Sequence, residues 1–91
     1  MSTLVKVVCL EHFDQKLPLP SYETNLAVGA DIRACLGEGE SMILKPGERT
    51  LIPSGLSMEI PAGYEIQVRP RSGLSLKTGL LVVNSPGTID A

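Results

Sequence analysis

Turn-forming residues interrupt this sequence at short, regular intervals. Clusters of proline, glycine and serine recur about every 8 to 12 residues and separate brief apolar or alternating segments. These clusters are "LPLPS", "GEGE", "KPGE", "PSG", "PAG" and "NSPG". Because such spacing leaves little room for long helices, it is typical of an all-β sandwich or barrel. The pattern therefore predicts a small all-β domain.

The segments between the turns predict strands. They are "TLVKVVCL", "ADIRACL", "SMIL", "RTLIP", "LSMEI", "YEIQVR" and "LLVVN". The clearest alternation is that of "YEIQVR", which puts Ile66 and Val68 on one face and Glu65, Gln67 and Arg69 on the other. This segment is the best candidate for a strand with one apolar and one polar face.

Two segments depart from this pattern. "SGLSLKTGL" could form two helical turns, with Ser72 available as the N-cap and Gly79 able to end the helix. "LLVVNSPGTIDA" is typical of a strand, a Pro-Gly turn and a returning strand cut off at Ala91. We therefore expect one domain over residues 1–91 that is incomplete at its C-terminus.

Composition excludes several classes of protein. The net charge is −2, and the chain has two tyrosines, one phenylalanine and no tryptophan, which disfavours binding to a nucleic-acid polymer. No apolar run approaches the ~20 residues of a membrane-spanning helix, and the N-terminal residues do not have the pattern expected of a secretory signal. Cys9 and Cys35 lack metal-binding spacing and are interpreted as reduced thiols. We expect a cytoplasmic protein, with a nuclear or organellar location left open.

Positive charge is concentrated late in the chain, because residues 66–89 contain basic side chains and no acidic one. Within "RPRSG", Arg71 offers a planar donor fork, Ser72 a hydroxyl and Gly73 close backbone approach. These properties suit an anion site with phosphate as its ligand. A solvated basic turn is the alternative, and the residues alone favour the two equally.

A carboxylate follows small residues in "AVGADIRACL", where Asp31 comes directly after Gly29 and Ala30. Carboxylates near a triphosphate usually serve a magnesium ion, which keeps several waters and takes few protein ligands. Taken alone, the position is better explained by an aspartate that caps a turn.

The stretch "NSPGTIDA" combines base-reading and proton-accepting groups. The Asn84 amide has donors and an acceptor, and backbone groups around Gly87 could add contacts. Asp90 is an acid in a basic neighbourhood and could accept a proton from water. Taken alone, the stretch is better explained as a plain hairpin with an aspartate near its end.

The combination of motifs is more specific than any one of them. "GADIRA", "PRSGLSLKTGL" and "NSPGTID", in this order and at these separations, resemble the trimeric deoxyuridine triphosphate nucleotidohydrolase (dUTPase) family. "LPLPSYET" and "PGERTLIPSGLSMEIPAGY" are also similar to that family, so the resemblance covers essentially the whole chain.

The resemblance implies an all-β, jelly-roll-like (β-clip) fold, truncated after the third motif, with one short helix after the "PRSG" turn. It also implies a homotrimer with active sites at subunit interfaces. The implied reaction is magnesium-assisted hydrolysis of dUTP to dUMP and pyrophosphate.

The family likeness further implies a role for each site residue. Asp31 would act on magnesium through water, and Asp90 would activate the water that attacks the α-phosphorus. The residues implied to contact the substrate form two sets. Those that would bind the phosphates are Arg71, Ser72 and Gly73, and those that would bind uracil are Asn84, Gly87, Thr88 and Ile89. The family pattern continues with an aromatic residue and two further motifs after the position of Ala91. A nucleotide-binding or purely structural fragment without catalysis is therefore the alternative.

Overall fold

The computed structural model describes residues 3–91 and has an all-β fold with one short helix. The strands form two two-stranded sheets, one pairing β1 with β2 and the other pairing β3 with β4. The elements in chain order are β1 (Lys6–Cys9), β2 (Leu56–Glu59), β3 (Glu65–Val68), α1 (Ser72–Thr78) and β4 (Gly87–Asp90). The predictions of an all-β chain and of one helix after "PRSG" are confirmed. Within residues 3–91, no helix has the length and apolar character needed to cross a membrane.

The chain divides into two compact units. One is Val8–Ser57, and the other is Met58–Ala91 together with the N-terminal residues up to Val7. Asp31 belongs to the first unit, whereas the motifs around Arg71 and Asp90 belong to the second.

The buried thiol of Cys35 organises the unit Val8–Ser57. Its Sγ donates to the carbonyl of His12 at 3.3 Å and accepts from the backbone N–H of Asp14 at 3.3 Å. The backbone N–H of Cys35 donates to the carbonyl of Pro53 at 2.8 Å. The side chain and backbone of one residue thus tie together segments that are distant in sequence.

Gly55 completes this small core. It has φ +73°, and a Cβ at this position would lie 3.0 Å from Cδ1 of Phe13 and 3.2 Å from Sγ of Cys35. Phe13, Cys35 and Gly55 are all buried. The site therefore requires glycine for two reasons, the left-handed backbone and the close approach of Phe13.

The second unit is built around the antiparallel pair β3–β4. Glu65 lies opposite Asp90 and Val68 opposite Gly87, which fixes the register of the four-residue strands. Along β3 the even positions are half-buried and the odd positions exposed, as the alternation in "YEIQVR" predicted.

Four of the predicted strands are not strands in the structure. They are "ADIRACL", "SMIL", "RTLIP" and "LLVVN". The bond from Cys35 to Pro53 joins the first of these to the third, but one backbone bond does not make a ladder. Apolar alternation is a local property of the sequence, whereas a strand also needs a paired neighbour.

The predicted hairpin partner of β4 is also wrong. The expectation was a strand over "LLVVN", but Val83 and Asn84 lie in a turn, which the Ser85 N–H closes by donating to the Val82 carbonyl at 3.0 Å. Because that turn occupies the expected strand, β4 pairs with β3 instead.

The start of α1 differs from the prediction and its end agrees with it. Arg71, not Ser72, occupies the N-cap position, with extended backbone and no side-chain capping bond. Ser72 is the first helical residue. At the other end, Gly79 has φ 75° and donates its N–H to the Ser75 carbonyl at 2.8 Å, so the predicted glycine stop is confirmed.

Candidate functional site

The β3–β4 sheet separates the predicted site residues onto two faces. Directly opposed residues share a face, and successive residues alternate between faces. Thr88 and Asp90 therefore lie on the polar face with Gln67 and Glu65, their partners in the register. Ile89 lies on the opposite face, across from Ile66. Any contact that Ile89 makes on the polar side of β4 must consequently come from its backbone.

Asp90 has a different neighbourhood from the one the sequence suggested. The sequence pattern made it an acid among basic residues, but Glu65 lies directly opposite it in the sheet. Both carboxylates are exposed to solvent. This correction arises because pairing with β3 brings in an acid that lies just before the basic window of the sequence.

Asn84 and Gly87, which were predicted to act together, are in contact. A Cβ on Gly87 would lie 3.3 Å from Nδ2 of Asn84 and 3.6 Å from its Oδ1. The Asn84 amide therefore lies close to the glycine at the start of β4, where a side chain on residue 87 would push it by a few tenths of an ångström. Gly87 is buried, while the Asn84 side chain stays exposed.

The phosphate candidates lie where the chain passes from β3 into α1. Arg71, Ser72 and Gly73 are all exposed, and no atom lies within 4 Å of the place where a Cβ on Gly73 would stand. The Arg71 carbonyl accepts the Ser75 N–H at 2.9 Å, which holds the backbone of Arg71 to the helix. The turn is thus open to solvent on the side of Gly73, as an anion site requires.

An open pocket of about 160 Å³ adjoins this turn. Its lining is mainly apolar and comes from the turn, the helix and the segment after it: Pro70, Arg71, Leu74, Ser75, Leu80, Leu81 and Val82. Small-molecule sites usually measure roughly 300–1,000 Å³. This pocket is therefore too small to hold a nucleotide by itself.

Asp31 is half-buried in the unit Val8–Ser57. Asp31, Arg33 and Cys35 are each less exposed than the residues between them, so the Asp31 side chain lies on the same side of the extended segment as the core thiol. Its carboxylate is the hard oxygen ligand that Mg²⁺ prefers.

Magnesium can be bound by one or two carboxylates with water and phosphate completing its shell. Among residues 3–91, no three or more histidine, cysteine, aspartate or glutamate side chains cluster as a metal cage. The residues present therefore fit a hydrated magnesium ion near Asp31 but not one enclosed by protein ligands.

Sequence reasoning missed a row of hydrogen-bonded side chains on β3. Gln67 Nε2 donates to Glu65 Oε2 at 3.3 Å, and Arg69 Nη2 donates to Gln67 Oε1 at 2.6 Å. The alternation in "YEIQVR" had already placed these residues on one face, which was the signal available. It gave no reason to connect them to Asp90, because that connection depends on the pairing of β3 with β4.

Comparison with known proteins identifies the family. The dUTPase family model matches residues 15–91. Proteins named deoxyuridine 5'-triphosphate nucleotidohydrolase are similar to the chain over most of its length. The one from Brucella melitensis biotype 2 is 52% identical over 85 residues, which cover 93% of this chain and 54% of the relative. The one from Roseobacter denitrificans is 59% identical over 78 residues, covering 86% and 51%.

A third relative, from Bartonella bacilliformis, is 54% identical over 85 residues, covering 93% of this chain and 48% of its own. The chain thus spans about half the length of the curated relatives it matches. The family model includes all three motifs that carried the resemblance, and the identities are high throughout. This chain belongs to the dUTPase family.

Proposed function

We propose that the protein hydrolyses dUTP to dUMP and pyrophosphate by attack of water on the α-phosphorus. The observation that supports this most is the match of the dUTPase family model to residues 15–91, which contain all three motifs. The names of the relatives describe the same class of activity.

In this proposal Asp90 is the general base. Its exposed carboxylate on β4 is open to solvent and can accept a proton from the attacking water. Attack develops negative charge on the leaving pyrophosphate. The guanidinium of Arg71 and the hydroxyl of Ser72 can donate to phosphate oxygens, and Gly73 admits the phosphate chain close to the backbone.

Asp31 would hold the magnesium ion through water. The bound ion supplies positive charge against the phosphate oxygens. The half-buried position of Asp31 favours a fixed orientation of its carboxylate, which is what an outer-sphere ligand must provide.

Uracil recognition is assigned to Asn84 and the backbone of β4 from Gly87 to Ile89, including Thr88. A site that hydrogen-bonds the donor and acceptor pattern of uracil rejects cytosine, because buried polar groups would be left unpaired. A turn this close to the base would leave little room for the methyl group of thymine.

We further propose that the protein forms a homotrimer whose active sites lie at subunit interfaces. Several large apolar side chains are almost fully exposed, including Leu26 at 91%, Val28 at 93% and Leu51 at 94%. Large exposed apolar side chains of this kind can be buried in an interface between subunits. Sedimentation equilibrium should give three times the mass of the chain, and a monomer at high concentration would contradict this part of the proposal.

The direct test of function is pyrophosphate release from dUTP with magnesium, using dCTP, dTTP and UTP as controls. We expect release from dUTP and little from the others. The intact mass of the assayed protein should be measured in the same preparation, so that the activity is assigned to a known length of chain. Affinity for dUTP without release would instead identify a nucleotide-binding module, and the absence of both would overturn the proposal.

Replacing Gly87 by alanine should weaken dUTP binding, by up to about tenfold if a whole hydrogen bond is lost, because the new Cβ would lie 3.3 Å from the Asn84 amide nitrogen and shift it. Calorimetry would measure the affinity of the variant for dUTP and for dUMP. The affinity for both should fall by the same factor, because both nucleotides carry uracil. Gly29→Ala is the control at an open position to which no substrate contact is assigned, where no atom lies within 4 Å of the added carbon. Unchanged binding by the Gly87 variant would remove Asn84 from uracil recognition.

A further inference from the structure

Arg69 is a cation that the three motifs do not use. It follows β3 directly, and its Nη2 donates to Gln67 Oε1 at 2.6 Å. Gln67 is itself oriented by the bond from its Nε2 to Glu65 Oε2 at 3.3 Å. The guanidinium is therefore held at a defined place along the strand even though it is exposed.

That place lies on the polar face of the β3–β4 sheet. Gln67 is directly opposite Thr88, and Glu65 is directly opposite Asp90. The bond to Gln67 keeps the Arg69 side chain on this same face. A fixed positive charge is thus located beside the strand that carries the proposed general base.

The charge of Arg69 is not neutralised by the group that orients it. Its partner is the neutral amide oxygen of Gln67, and no ion pair joins Arg69 to a carboxylate within residues 3–91. A guanidinium has five N–H donors arranged as a fork that fits phosphate oxygens. One bond to Gln67 leaves donors on Nε and Nη1 for a ligand.

We propose that Arg69 is a second phosphate-binding guanidinium, oriented by Gln67, that contacts the phosphates next to the attacked phosphorus. This inference rests on the proposed function, because it takes a deoxynucleoside triphosphate as the ligand and Asp90 as the base. It adds a phosphate contact from the sheet to those expected from the Arg71 turn.

The experiment compares ligands with and without phosphates in the full protein. The probes are a dUTP analogue with an imido group between the α- and β-phosphorus, and deoxyuridine. Arg69→Gln should weaken binding of the analogue by about tenfold or more, the size of one lost charge-assisted hydrogen bond, and leave deoxyuridine unaffected. Lys77→Gln removes an equal charge from the exposed last turn of α1 and should change neither affinity.

A second pair of variants tests the orientation by Gln67. Gln67→Leu should lower the affinity for the analogue by a smaller factor, and this loss should disappear when Arg69 is already glutamine. Arg69→Lys should recover part of the affinity, because lysine keeps the charge but not the fork. Thermal melting followed by circular dichroism checks that each variant is folded.

The outcomes separate this inference from the function on which it rests. If Arg71→Ala loses affinity for the analogue while Arg69→Gln binds like Lys77→Gln, the role of Arg69 is overturned and the proposed function stands. Equal loss of deoxyuridine and analogue binding in Arg69→Gln would show a structural effect and also overturn it. No binding of the analogue by the unmodified protein would overturn both.

Discussion

Replacing Asp90 by asparagine is expected to lower the rate of pyrophosphate release from dUTP by about 10²- to 10⁴-fold, the usual contribution of a general base. Asparagine has nearly the same shape as aspartate but cannot accept the proton of the attacking water. Because Asp90 is an exposed residue in β4, the change should leave the sheet and the affinity for dUTP largely intact. The effect should therefore appear in kcat and not in KM.

Steady-state kinetics together with calorimetry on the same preparations would measure both quantities. Glu65→Gln is the matched control, since it removes the carboxylate directly opposite Asp90 without touching the proposed base. We expect it to retain most of the turnover. If Asp90→Asn keeps full activity, Asp90 is not the base. If Glu65→Gln loses as much turnover as Asp90→Asn, the two carboxylates act together in catalysis and Asp90 is not the base by itself.

The second large effect concerns stability. Gly55→Ala should reduce the free energy of unfolding by about 2 to 5 kcal/mol, because it adds backbone strain to a steric clash. The backbone has φ +73°, and the new Cβ would meet the Cα of Phe13 at 3.1 Å as well as its ring. The contact with a backbone atom matters most, since rotation of a side chain cannot relieve it.

Urea denaturation followed by circular dichroism would measure this loss. Gly47→Ala separates the two causes, because Gly47 has φ +83° in the same unit but no atom within 4 Å of an added Cβ. In Gly47→Ala the free energy of unfolding should fall only by the added backbone strain, about 1 to 2 kcal/mol. Equal losses in the two variants would mean that Phe13 and Cys35 move aside at little cost, and the packing argument would then fail.

Local sequence signals predicted what depends on neighbouring residues. The alternation in "YEIQVR" gave the correct faces of β3, and Gly79 ended α1 as expected. Both are determined within a few residues, since backbone conformation and side-chain alternation are local properties. The motifs also identified the family, because their order and separation are more specific than any single one.

Pairing was not predictable in the same way. The partner of β4 is β3, and helix α1 lies between these two strands in the sequence. This pairing alone brings Glu65 opposite Asp90 and places Arg69 on the same face of the sheet as Asp90. The extended segment around Asp31 likewise carried the alternation of a strand without forming one. The cap of α1 was missed because serine is the commoner N-cap, whereas here the chain enters the helix one residue earlier.

The tie between Cys35 and the loop around Phe13 also has a consequence for the speed of folding. The two hydrogen bonds of the thiol join residues 21 and 23 positions apart, and Gly55 closes a further loop onto the same place. Each closure costs chain entropy before any contact compensates for it. Folding of this unit should therefore be slower than that of a helical domain of the same size.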